Sequence, residues 1–230
     1  MVDISLLEPS TVEGRQSIID VRPLSEQDLP AVAQIHLQAF PNSAISRLGL
    51  EAARRYYEWQ LTGPHQVVAL GAFDGATVLG FCIGGIFRGA LSGFLHKNRA
   101  YLGRRVLTHP WLFANPIFRD RFSSGLKILL RRIRRLRPKA LGKDDSVQRP
   151  KPTSFGILAL ASAPHSQHKG VGTALLQGME EAAHRRGFRE LHLTVHSENL
   201  RAIRFYERHH WQKVCADGQW NGRMTKSIER

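Results

Sequence analysis

The reading of the fold turns on one stretch, Leu160-Ala161-Ser162-Ala163-Pro164-His165-Ser166-Gln167-His168-Lys169-Gly170-Val171-Gly172-Thr173-Ala174-Leu175-Leu176. It leaves an apolar run, passes a proline turn and enters a helix through two glycines. A strand delivers the backbone to one point, and the glycines let N–H groups face outward with no side chain in the way. The helix behind them adds its unpaired first-turn donors and the positive end of its dipole. Such an arrangement binds anions, phosphates above all. Two common phosphate loops do not fit. The P-loop spacing Gly-x4-Gly-Lys-Ser/Thr occurs nowhere in the chain. A dinucleotide fingerprint would need a third glycine where Leu175 stands, and Glu190, at the right distance, opens the next strand where it should close it.

The pattern that does fit is Gln-x-x-Gly-x-Gly at Gln167, Gly170 and Gly172, preceded by Leu160-Ala161-x-x-Pro164 and followed by an amphipathic helix. A second element follows one helix and one strand later, Glu198-Asn199-Leu200-Arg201-Ala202-Ile203-Arg204-Phe205-Tyr206-Glu207-Arg208-His209-His210-Trp211. Together they resemble the two acyl-CoA motifs of the GNAT superfamily of N-acetyltransferases, with His210-Trp211 where Gly-Phe is usual. The resemblance covers roughly residues 16–87 and 153–229. It implies an α/β (α+β) GNAT fold, a mixed, largely antiparallel central sheet flanked by helices.

The pass along the chain agrees with that order of elements. Residues 1–15 read as a loosely held tail, and 16–230 as a single domain. Ser17 to Leu24 alternates as a first strand, and Ser25-Glu26-Gln27-Asp28 caps a helix carrying Leu29, Val32, Ile35, His36 and Phe40 at helical spacing. Pro41-Asn42-Ser43 ends it, and Leu48 to Leu61 supports a second helix. Gln66 to Phe73 and Thr77 to Ile86 read as a hairpin about Asp74-Gly75. Ser154 to Ala161 precedes the glycine loop, whose helix buries Val171, Leu175, Met179 and Ala182 or Ala183 and stops at Arg186-Gly187. A strand from Glu190 to His196, a helix from Asn199 to His209 and strands over Trp211–Val214 and Met224–Ile228 close the chain.

Between the third and fourth strands lies a basic insertion and linker, residues 88–152. From Arg88 to Lys151 stand 17 of the 33 lysines and arginines but only three of the 19 acids, so this segment holds the whole net charge of +14. Leu91 to Leu107 and Pro116 to Leu136 read as helices, the second with an apolar stripe and arginines on its other faces. Three roles fit such a segment, in this order: a lid that packs its stripe on the domain, peripheral contact with an anionic inner membrane surface, and, least favoured, nucleic-acid binding. No run of 18 uncharged apolar residues occurs, and an acid stands in the N-terminal stretch where a secretory signal has bases. With two cysteines, Cys82 and Cys215, and so no disulfide framework, the expected location is the cytoplasm or its membrane face.

The resemblance also assigns roles. The donor is acetyl-CoA, its pyrophosphate met by Gln167, His168, Lys169, Gly170, Val171, Gly172 and Thr173. Its pantetheine arm would lie along Leu160, Ala161 and Ser162, with Asn199 bonding the pantetheine amides or capping its helix. Tyr206 would be the general acid toward the departing thiolate, because a phenol stays protonated at neutral pH. The fourth strand carries no carboxylate to act as base, which leaves His196, with Glu198 beyond it, as candidates. The loop from Phe40 to Leu48, with Phe40, Asn42, Ser43, Ser46 and Arg47, would face the acceptor. No metal is expected, since the eleven histidines form no cluster with ligand spacing.

The implied function is transfer of an acetyl group to a primary amine of a small molecule or amino sugar, by direct attack in a ternary complex. Alternatives are a protein or peptide N-acetyltransferase, and a non-catalytic acyl-CoA-binding or membrane-associated regulatory protein of the same fold. The chain is expected as a monomer or homodimer.

Overall fold

The computed structural model describes residues 19–87, 90–108 and 154–228. The N-terminal tail and the Pro116–Leu136 helix of the sequence reading therefore lie outside the described residues.

The first half is β1 (Asp20–Pro23), α1 (Leu29–Ala39), α2 (Ala44–Leu48), α3 (Leu50–Thr62), β2 (Gln66–Asp74) and β3 (Thr77–Ile86). Ser25 and Asp28 close a capping box ahead of α1, the Ser25 N–H and hydroxyl each 2.8 Å from Asp28 Oδ2. The stretch from Phe40 to Leu48, read from the sequence as a loop, holds the short helix α2 with Ser43 as its N-cap. The reason is local: the Ser43 hydroxyl accepts the Ser46 N–H at 3.0 Å, and Gly49, at φ 96°, turns the chain into α3.

The basic segment begins with α4 (Ala90–Lys97) and α5 (Arg99–Thr108), where the sequence suggested one helix. Asn98 breaks it, its side-chain amide donating to the Phe94 carbonyl at 3.1 Å. Both helices lean on the domain: Phe94 is buried, Trp59 Nε1 donates to the Ala90 carbonyl at 2.8 Å, and Arg105 Nε donates to the Leu48 carbonyl at 3.1 Å.

The second half is β4 (Ser154–Ser162), α6 (Val171–Arg185), β5 (Glu190–Thr194), α7 (Leu200–Arg208), β6 (Gln212–Ala216) and β7 (Gln219–Ser227). The seven strands form one sheet in the order β1-β2-β3-β4-β5-β7-β6, antiparallel except for β4 beside β5. β3 is buried along nearly its whole length, as befits a strand covered on both faces. On one face α6 packs Val171, Leu175, Leu176, Met179 and Ala183 against Phe155, Cys82 and Leu191. On the other, Leu29, Val32 and Ile35 of α1 and Tyr57 of α3 pack on Phe73, Phe81 and Ile83. Gly84 lets α6 come close: a Cβ there would lie 2.5 Å from the Phe155 ring and 2.9 Å from Met179 Sδ.

Candidate active site

Two irregularities of register open the site. On β4 one extra residue, Leu158, is inserted against β3, whose Ile83 and Gly84 face Ala159 and Ile157. On the other side β4 runs beside β5 only from Ser154 to Gly156, opposite Glu190 to His192. Beyond Gly156 the two parallel strands part, and one edge of Ile157 to Ser162 has no strand beside it. Backbone N–H and C=O groups on such an edge are free to pair with an extended ligand. The gap opens into a cleft of about 760 Å³ lined by this stretch of β4, by residues of the glycine loop, by Leu193 to His196, and by Asn199, Phe205 and Tyr206 of the following segment.

The loop closes one end. After the turn Pro164–Ser166, His168 (φ 64°) and Gly170 (φ 82°) both take the left-handed conformation, and Gly170 caps α6. The first bond inside α6 is from the Ala174 N–H to the Gly170 carbonyl at 2.9 Å. The N–H groups of Val171, Gly172 and Thr173 thus have no acceptor within the helix. Ser166, a residue of the cleft lining, is only 1% exposed, and its buried hydroxyl has no hydrogen-bond partner among the described residues. A buried hydroxyl without a partner is costly, which fits a site built to receive a polar ligand.

The side chains around the loop are tied to one another by hydrogen bonds. Arg201 donates to His168 Nε2 at 3.2 Å; because arginine only donates, that nitrogen is unprotonated. His209 Nδ1 donates to the Phe205 carbonyl at 2.8 Å, and its Nε2 is hydrogen-bonded to the Thr173 hydroxyl at 3.1 Å. Arg201 and Arg208 both line the cleft, and sequence reasoning missed them as site residues. The available signal was their place beside Asn199 and Tyr206 on one helix, obscured by the many other arginines of the chain.

Tyr206 lines the cleft from α7, 8% exposed, with its ring 5.3 Å from Phe205 and 5.7 Å from Trp211. Its hydroxyl makes no hydrogen bond to another described residue. Burial first, and the neighbouring Cys82 second, push its pKa well above the ordinary phenol value. Asn199 caps α7, Oδ1 accepting the Ala202 N–H at 3.1 Å, which leaves its amide NH2 for a ligand. His196 is exposed on the cleft lining; Glu198 is exposed and does not line it. Ser162, Gln167 and Leu160 line the cleft, whereas Lys169 does not.

The expected acceptor loop divides. Phe40 and its neighbour Ala39 line the cleft, but Asn42, Ser43 and Arg47 do not. Arg47 donates to Asn42 Oδ1 at 3.2 Å on the surface, and Ser43 turns inward to His36 Nε2 at 3.0 Å. Of the residues expected to face the acceptor, Phe40 thus lines this cleft, while the cap of α2 and a buried imidazole claim the Ser43 hydroxyl. Among the described residues no group of three or more His, Cys, Asp or Glu side chains could hold a metal ion, and no helix is long and apolar enough to cross a membrane.

This loop, parted strand pair and capped helix can hold a phosphate-bearing, extended ligand with its far end beside Tyr206. Residues 140–211, which span those parts, match the model of the Acetyltransferase (GNAT) family. No curated protein matches the chain. Among solved structures, the PaiA N-acetyltransferase of Thermoplasma acidophilum in complex with coenzyme A is similar over 91% of this chain and 99% of its own, with 17% identity and a TM-score of 0.51. The ribosomal-protein-S18-alanine N-acetyltransferase of Escherichia coli matches 93% of this chain and 96% of its own, at 16% identity and a TM-score of 0.52. A Salmonella typhimurium protein with its cofactor acetyl-CoA matches 92% and 94%, at 16% identity and a TM-score of 0.52. The glycine loop and the Tyr206 helix thus lie inside a segment that matches the GNAT acetyltransferase family, and the sheet around them has the fold of these solved acetyltransferases.

Proposed function

We propose that this chain moves an acetyl group from acetyl-CoA to the primary amine of a small molecule or amino sugar, by direct attack in a ternary complex. The observation that carries the reading is that the loop's free donors and the buried Tyr206 open into one cleft between the parted strands. When bound, acetyl-CoA supplies a thioester whose carbonyl the amine attacks and whose thiolate leaves.

Each part of the site answers one need of that reaction. The N–H groups of Val171 to Thr173, with Ser166 and Arg201, take the negative charge of the donor's phosphates. The open edge of β4 from Leu160 to Ser162 and the Asn199 amide hold the arm in extension. One N–H of that edge polarises the thioester oxygen, where charge develops in the transition state. Tyr206, kept neutral by its burial, gives its proton to the leaving thiolate. His196, on the lining, takes the proton of the amine, with Glu198 beyond it. Phe40 and Ala39 form the acceptor wall.

The similarity to a ribosomal-protein alanine N-acetyltransferase gives a second acceptor class, a protein N-terminus. One experiment separates these readings: acetyl-CoA binding by calorimetry, followed by thiol release with a panel of simple amines, amino sugars and peptides. Binding with release on amines or amino sugars is the expected result. Release on peptides alone would move the acceptor to proteins, binding without release would leave a non-catalytic acyl-CoA-binding protein, and no binding would overturn the loop assignment.

A further inference from the structure

Behind Phe40 lies a side-chain relay that the acetyl-transfer site does not include. His36 of α1 is 7% exposed, with Nδ1 2.7 Å from the Tyr57 hydroxyl of α3 and Nε2 3.0 Å from Ser43 Oγ. Ser43 Oγ donates to Ser46 Oγ at 2.9 Å, and Ser46 Oγ donates to the Phe40 carbonyl at 2.7 Å.

These contacts fix the hydroxyl protons, and burial fixes that of the ring. The carbonyl of Phe40 can only accept, so the Ser46 hydroxyl points to it and the Ser43 hydroxyl points to Ser46. Ser43 Oγ has then spent its one hydrogen and must accept from His36 Nε2–H. Burial lowers the His36 pKa to about 4, so the ring is neutral; with its one hydrogen on Nε2, the bare Nδ1 accepts the Tyr57 O–H. The relay runs one way, Tyr57 to His36 to Ser43 to Ser46 to Phe40.

Its end point is a wall of the cleft. Phe40 also gives its N–H to the His36 carbonyl at 2.8 Å, and its ring lies 5.0 Å from the His36 ring. Phe40 is therefore held through its N–H, its carbonyl and its ring, and all three holds trace to His36, to Ser43 bonded to it, or to Ser46 bonded to Ser43. A fixed wall matters where an amine must meet a carbonyl within a few tenths of an ångström. None of the relay side chains lines the cleft.

We propose that His36, Ser43, Ser46 and Tyr57 are positioning residues that hold Phe40 in place as the acceptor-side wall, an inference that rests on the transferase reading above. The relay acts on acceptor binding and leaves donor binding alone.

The test uses Ser46→Ala, which removes the side-chain bond to the Phe40 carbonyl and leaves only the Ser43 N–H on it at 3.0 Å, and Ser46→Thr, which keeps the hydroxyl. One lost hydrogen bond predicts that Ser46→Ala raises the acceptor KM about three- to tenfold, with kcat lowered less and acetyl-CoA affinity within about twofold of the parent. Ser46→Thr should restore the KM, and in a Phe40→Ala background Ser46→Ala should add nothing. Amide hydrogen exchange, measured without any acceptor, should rise about tenfold in residues 40–47 of Ser46→Ala and stay unchanged in 167–174.

Unchanged exchange in 40–47, an acceptor KM within about twofold of the parent, or an equal loss of acetyl-CoA affinity would overturn the proposal. A parent protein that turns over no amine removes the transferase reading and the acceptor role with it. Raised exchange at 40–47 would in that case still establish the relay's hold on Phe40, so the two failures are distinguishable.

Discussion

Two polar regions built from the same residue types flank one cleft, and they differ in how their hydrogens are spent. Around His36 every hydroxyl and imidazole proton has an acceptor within 3.0 Å, in a chain that ends on the Phe40 carbonyl. Around Ser166 the buried hydroxyl has no partner among the described residues, and three helix N–H groups have no acceptor within α6. A saturated network inside a fold is rigid, while one left open holds donors where a ligand can satisfy them. Leaving a buried polar group unpaired costs about 1–3 kcal/mol. A site with such a cost is expected to be the part of the protein that a bound ligand stabilises most.

Acid attacks the saturated side hardest. His36 has a folded pKa of about 4 against 6.5 for an ordinary imidazole, so between those values the unfolded chain binds more protons than the folded one. Its contribution to stability is full above pH 6.5 and lost as the pH falls toward 4, about 3 kcal/mol in all at about 1.4 kcal/mol per pH unit. Chemical denaturation across that range should show this slope, and His36→Gln should flatten it. An equal slope in the variant would place the acid sensitivity elsewhere.

The join between the two sides comes next. A methyl at Gly84 would overlap Phe155 and Met179 and push α6, with its loop, away from the sheet. Gly84→Ala is expected to cost about 2 kcal/mol, read as a lowered urea midpoint, with acetyl-CoA affinity falling alongside.

Tyr206→Phe sharpens the contrast within the cleft. It removes one hydroxyl that has no partner among the described residues, so stability should hold, while transfer falls about tenfold or more with acetyl-CoA binding unchanged. Turnover equal to the parent's would take Tyr206 out of the mechanism.

The smallest effect is expected at the loop. Gly170 sits at φ 82° with open space around a Cβ, its nearest neighbour 4.0 Å away, so Gly170→Ala meets only left-handed backbone strain. That is about 1 kcal/mol, measurable as a shift in the denaturation midpoint that added acetyl-CoA should enlarge, because relaxing the strain turns the loop donors away.

Much of this was legible before any tertiary contact was known. The helix from Leu29 to Ala39, the hairpin about Asp74-Gly75, the strand from Ser154 and the Val171–Arg185 helix stand where periodicity and turn residues put them. The glycine loop was legible because its function depends on backbone freedom, which Gly170 and Gly172 announce directly. The Phe40–Leu48 stretch was misread as a plain loop, since one cap bond at Ser43 decides whether five residues coil. His36 was visible as a member of α1's inward face, but not as a relay, because Tyr57 lies 21 residues away.

By itself, then, the sequence determined the elements, their order, the anion-binding loop and the family resemblance of that loop and its helix, all encoded in residues close along the chain. Only the tertiary structure decided where β4 leaves β5, that Ser43 turns inward while Phe40 faces the cleft, and which hydrogens are spent and which kept. Those follow from strand register and from side chains meeting across separate helices, and such contacts form only when the whole core packs.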